Sequence, residues 1–100
     1  MIVIAGTINI DPTHRDKAVA AAVEVMQATR QEKGCISYAF SLDLSDPGCF
    51  HLFEEWESPE ALATHFGTPH MARFQSVMPT LGVRGMAIQR YEVSTVGPLR

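Results

Sequence analysis

Residues 2–10 alternate along the chain, with Ile2, Ile4, Ile8 and Ile10 on one side of an extended segment and Val3, Ala5, Thr7 and Asn9 on the other. The run is rich in β-branched residues and ends at Asp11-Pro12, which predicts a strand with two usable faces. The period then changes. Asp11-Pro12-Thr13 offers a cap with proline in the first turn, and Val19, Ala22, Val23, Met26 and Arg30 recur at helical spacing up to Gly34. That pattern predicts an amphipathic helix over about residues 12–33. Residues 35–44 and 49–57 alternate or carry aromatics on either side of Ser45-Asp46-Pro47-Gly48, a hairpin signal resting on the dihedrals those turn residues accept. Ser58-Pro59-Glu60 and Thr68-Pro69-His70 repeat one capping device, predicting short helices over about 59–66 and 69–80. A closing strand is predicted over about 84–95, leaving 97–100 as a tail.

The resulting order is β-α-β-β-α-β with the second helical region split, the order of a ferredoxin-like α+β fold. With no internal linker or repeat, residues 1–100 form one domain. Its helices would cover one face of a four-stranded sheet, and the apolar residues on both sides of the first strand favour a second sheet against the other face. A homodimer is therefore expected.

Composition narrows the function. The chain is 46% hydrophobic and 19% charged, with a net charge of -3 and no basic cluster, so a nucleic-acid partner is not expected. The apolar start, MIVIAGTINI, is too short to span a bilayer and lacks a basic leader, so the expectation is a cytoplasmic protein with no membrane contact. Cys35 and Cys49 fall at the starts of consecutive strands, about 30 Å apart along an extended ladder, and are expected to be free thiols.

The chemistry-bearing residues gather in the second half. On the third strand Leu52, Glu54 and Trp56 share one face, opposite His51, Phe53 and Glu55. On the first short helix Leu62, His65 and Phe66 share a face, and His70 opens the next helix at the border of an inward stripe with Phe74 and Val77. A carboxyl group on the Trp56 face would need a partner, and a histidine is a natural one for Glu54. Two histidines five positions apart, with no accompanying metal motif, make a poor ligand pair, so no metal is expected. There is no dinucleotide-binding, phosphate-binding or serine-hydrolase signature.

Three pieces of sequence resemble one known family: Gly34-Cys35-Ile36-Ser37-Tyr38, Glu54-Glu55-Trp56-Glu57-Ser58, and His65 followed by Thr68-Pro69-His70-Met71. They are similar to the antibiotic biosynthesis monooxygenase family, most of all its quinol monooxygenase-type members, over about residues 2–93. The resemblance implies a dimeric α+β barrel, a pocket between sheet and helices, and oxygenation of polycyclic phenols or quinols by molecular oxygen without metal or flavin. It also implies differences. Thr7, His65 and Gln75 stand where the heme-degrading branch carries asparagine, tryptophan and histidine, and Leu52 and Leu62 where the polyketide-oxidising type carries asparagine and tyrosine. The histidine-containing helix start also resembles a branch that isomerises a phosphorylated sugar derivative.

The expectation is a cofactor-free oxygenase of a hydroxylated aromatic. His65 or His70 would take the phenolic proton beside Trp56. Tyr38, Phe40, Glu54 and Leu62, with Met71 and Phe74, would form the substrate pocket, while Thr7 or Asn9 would hydrogen-bond a substrate oxygen. A proton-transfer isomerase of a small carbonyl compound and a non-catalytic ligand-binding dimer are the alternatives.

Overall fold

A computed structural model describes all residues, 1–100. β1 (Ile2–Ile10) leads through a single 3-10 turn, Pro12–His14, into α1 (Arg15–Thr29). The hairpin of β2 (Cys35–Leu42) and β3 (Cys49–Trp56) follows, then α2 (Pro59–Phe66), α3 (Pro69–Val77), a 3-10 turn at Met78–Thr80, and β4 (Val83–Glu92). The sheet order is β2-β3-β1-β4 with every neighbouring pair antiparallel, so the ferredoxin-like α+β expectation holds. No helix is long and apolar enough to cross a membrane.

The caps form as their residues dictate. Asp11 accepts from the Thr13 backbone N–H, Ser58 from that of Ala61 and Thr68 from that of Met71. The first helix departs from expectation by stopping at Thr29. Its chain then tightens, with Gln31 N–H donating to Ala28 and Glu32 N–H to Thr29, before Gly34 at φ +88° turns the backbone into β2. Glu32 thus lies in a turn beside the start of the sheet and not in a continuing helix.

Strand parity decides what faces the helices. Ile2, Ile4, Ile8 and Ile10 are buried with Leu52, Trp56, Leu62 and Val25, while Phe53 on the helix-free face stays 47% exposed. The core falls into two clusters. One gathers around Trp56, Tyr38 and Leu62, the other around Ile8, Phe50 and Leu81. Between them lies the row Phe40, Leu52, Gly6, Ile88, read across the four strands. Gly6 brings no side chain to the middle of that row. A Cβ there would stand 2.0 Å from the Ala87 carbonyl oxygen.

The cysteines meet the expectation of free thiols. Cys35 is opposite Trp56 and Cys49 opposite Asn9, at the two ends of β3.

Candidate active site

A pocket opens on the helix-covered face beside Leu52 and Ile88. A cavity of about 410 Å³ lies over the sheet between its two core clusters, walled by Tyr38, Phe40, Leu52, Leu62, Met71 and Phe74 and flanked by Ile4, Ile8, Met86 and Ile88. Its volume lies within the range of small-molecule sites, about 300–1,000 Å³. The polar residues on its wall are few: Glu54, Tyr38, Gln75 and Arg90, with Gln89 touching it from β4 while its side-chain oxygen accepts from the Tyr91 hydroxyl.

Glu54 is the reactive-looking member. It is 5% exposed, and its Oε1 accepts a hydrogen bond of 2.8 Å from the Trp56 indole N–H. Burial disfavours the carboxylate and pushes its pKa up to about 7, against the lowering effect of the Trp56 hydrogen bond and with a further push from Glu32. The expected histidine partner is not there. β3 alternation brings Glu54 and Trp56, two residues apart, onto the same face, so the indole reaches the carboxylate first. Tyr38 pairs with Glu54 across the ladder, and burial, reinforced by Glu54, raises its phenol well above the usual range, keeping it protonated.

Of the expected substrate-binding residues, Tyr38, Phe40, Glu54, Leu62, Met71 and Phe74 come together on this wall. Thr7 and Asn9 do not. They have the opposite parity to the inward-facing isoleucines, and Thr7 borders a shallow depression on the helix-free face with His51, Phe53 and Tyr91. Sequence periodicity separated the two faces of β1 but could not say which one the helices would cover.

His65 packs beside Trp56 on the inward face as expected, but both histidines lie outside the cavity. Neither His65 nor His70 lines the large cavity, and Trp56, fully buried, lies behind its wall. His65 is 1% exposed, with its ring centroid 4.8 Å from that of Trp56 and 5.5 Å from that of Tyr38. Phe66, expected on the same inward face, is 57% exposed at the mouth of the cavity.

Both histidines converge on Glu32. The Oε2 atom of Glu32 accepts from His65 Nδ1 at 2.6 Å and from His70 Nε2 at 2.8 Å. Burial lowers the His65 pKa, opposed by the Glu32 hydrogen bond, so the ring is neutral with its proton on Nδ1. The five-residue spacing that argued against a pair fails as a guide because Gly67 and Thr68 break the helix, placing the two rings 6.0 Å apart on separate helices. The donor atoms of Glu32, His65 and His70 lie within 4.8 Å of one another, as do those of Asp43, Cys49 and His51, so either trio has the donor types to hold a divalent cation after giving up protons.

The sequence and the fold also match those of known proteins. The family model described as antibiotic biosynthesis monooxygenase matches residues 1–77. The chain belongs to the antibiotic biosynthesis monooxygenase family. A crystal structure of a "putative antibiotic biosynthesis monooxygenase" from Deinococcus radiodurans superposes with a TM-score of 0.91 at 32% identity, covering 100% of this chain and 99% of the other. An uncharacterised Synechocystis protein is 33% identical over 93 residues, 93% of this chain, which spans 63% of that relative's length. Bacillus subtilis YcnE, named a "putative monooxygenase", is 26% identical over 94% of this chain and 99% of its own. Family membership brings the helix-covered sheet and the pocket under one heading, and leaves the reaction to be argued from the residues within it.

Proposed function

We propose that this protein is a monooxygenase that oxidises a hydroxylated aromatic or quinol-type small molecule with molecular oxygen, acting as a homodimer and without a metal or organic cofactor. The observation that carries this reading is Glu54, a carboxyl group poised near neutral pH on the wall of an otherwise apolar, aromatic-rich pocket.

Glu54 takes the place proposed from sequence for His65 or His70, because it lines the cavity and they do not. Its carboxylate removes a proton from the bound phenol, or from the acidic ring carbon of its keto tautomer, as in an anthrone. The electron-rich anion passes one electron to oxygen, and its ring radical recombines with the resulting superoxide to a ring peroxide, whose O–O bond then breaks as the same carbon loses its hydrogen. One oxygen atom stays on the ring as a carbonyl and the other leaves as water, the substrate supplying all the electrons. Phe40, Phe74 and Met71 hold the ring and keep water away from the anion. His65, Glu32 and His70 act from behind, fixing α2 and α3 against the sheet so that Trp56 and Glu54 keep their positions.

Oxygen-electrode assays with naphthols, anthrones and hydroquinones test the reading. Uptake with at least one class is expected, insensitive to chelators and reduced about 10²-fold or more by Glu54→Gln. Binding of these compounds without oxygen uptake would refute the oxygenase and favour a ligand-binding module; loss of solvent-exchangeable label without uptake would favour the isomerase.

A further inference from the structure

Read across the sheet on its helix-covered face, one row runs Tyr38, Glu54, Ile4, Arg90, each opposite the next in register. Glu54 and Arg90 both flank Ile4 and both line the cavity. They are the only acidic and the only basic residues on its wall. Two inter-strand steps separate their backbones, about 10 Å. Arg90 lies on β4 at the edge of the sheet, and its side chain is 46% exposed. The one carboxylate within ion-pair reach is that of Glu92, 80% exposed and 3.8 Å away, beyond hydrogen-bond distance. The guanidinium fork therefore retains donors for a ligand, with Gln75 also at the cavity.

We propose that Arg90 is an anion-binding residue of this pocket, and that the preferred ligand is an aromatic of about two fused rings with a carboxylate at one end and its hydroxyl at the other. The inference rests on the oxygenase reading for the role of the hydroxyl, and on the row of side chains for the carboxylate. Opposite charges at the two ends give the ligand a direction. Arg90 attracts the carboxylate and Glu54 repels it, so the reverse orientation is disfavoured at both ends and the hydroxyl is delivered to Glu54. The strand register, which fixes the distance between the two groups, acts as a ruler for ring length.

Calorimetric binding of 6-hydroxy-2-naphthoate, its methyl ester and 2-naphthol to the full chain tests this without requiring turnover. The acid is expected to bind the wild type at least tenfold more tightly than the ester at low salt, with the preference shrinking as salt is raised. Arg90→Gln should reduce the ratio to about one while leaving the affinity for 2-naphthol unchanged, which shows that the pocket is intact. Equal binding of acid and ester by the wild type, or an unchanged preference in Arg90→Gln, would overturn the proposal. Oxygen uptake is read separately with neutral dihydroxynaphthalenes, so absence of an Arg90 effect and absence of oxygenation are distinct results. If none of the three naphthalenes binds, this inference falls.

Discussion

At the scale of single residues, the site depends on two carboxyl groups in different environments. Glu54 has one strong neighbour, the Trp56 indole, and an apolar wall; Glu32 has two imidazole N–H groups on one oxygen. A base with a pKa of about 7 must be ionised to accept a proton, so kcat/KM should rise with pH to a plateau above about 7 and fall below it. A pH-rate profile checks this, and a flat profile from pH 5 to 9 would rule Glu54 out as the base. The same shift has a stability consequence of definite sign. Between the ordinary value of 4.5 and about 7 the unfolded chain gives up the Glu54 proton while the folded chain keeps it, so this group's contribution to stability falls as pH rises through that window. Relative to wild type, Glu54→Gln should therefore gain up to roughly 3 kcal/mol in denaturant unfolding between pH 4 and pH 8. His65, whose pKa is lowered, works in the opposite direction, its contribution falling as pH drops below 6.5, so the variant difference is the informative quantity. Glu32→Ala removes the acceptor of two imidazole donors, one of them fully buried, and is expected to cost about 2–4 kcal/mol in chemical denaturation. A loss below about 0.5 kcal/mol would mean that the cluster does not tie the helices to the sheet.

At the scale of elements, one absent side chain lets β4 lie close against β1, and one early helix end places Glu32. Gly6 sits between Leu52 and Ile88, and the backbone of β4 takes the place its Cβ would occupy. Gly6→Ala is expected to destabilise the fold by about 1–3 kcal/mol, because its Cβ would meet the Ala87 carbonyl in the adjacent backbone and not the end of a movable side chain. Equilibrium unfolding with the ligand absent measures it, and a neutral Gly6→Ala would show that β4 yields there. Most of the element plan was legible in the chain, since alternation in β1, paired Ser/Thr-Pro starts and the Asp-Pro-Gly turn are local signals. What was not legible depended on contacts between elements. The sequence runs on as a good helix past Thr29, and only the 3-10 bonds of Gln31 and Glu32, with Gly34 beside Ala61, end it early enough to aim Glu32 at two histidines more than 30 positions away. Likewise the β3 alternation grouped Glu54 with Trp56 correctly, yet the indole as its partner and Arg90 as its counterpart across Ile4 emerge only from strand order and register.

At the scale of the whole molecule, the protomer is a slab. Its principal extents are 39 × 34 × 19 Å, and the short dimension accommodates one sheet and one helical layer, leaving the far side of the sheet bare. That bare side mixes Val3, Ala5, Ala39, Phe53, Ala87 and Tyr91 with Thr7, His51 and Gln89, and both its large aromatics are nearly half exposed. β4 is uncovered on its other face too, where Met86 is 59% and Ile88 37% exposed at the edge of the cavity. With 19 of 100 residues buried, the protomer has a small core, and burying this face against a second copy would enlarge the apolar area removed from water. The symmetric arrangement proposed is a C2 dimer packed sheet to sheet, in which each Phe53 and Tyr91 would contribute to a shared, obligate core. Sedimentation equilibrium at micromolar concentration is expected to give one species of twice the 11.0 kDa protomer mass. Phe53→Lys places a charge at the centre of that contact and should dissociate or unfold the protein, whereas Val23→Lys on the exposed side of α1 should do neither. A stable protomer-mass species in the wild type would rule out the dimer, and a Phe53→Lys protein that stays dimeric would move the contact from the sheet face to the β4 edge.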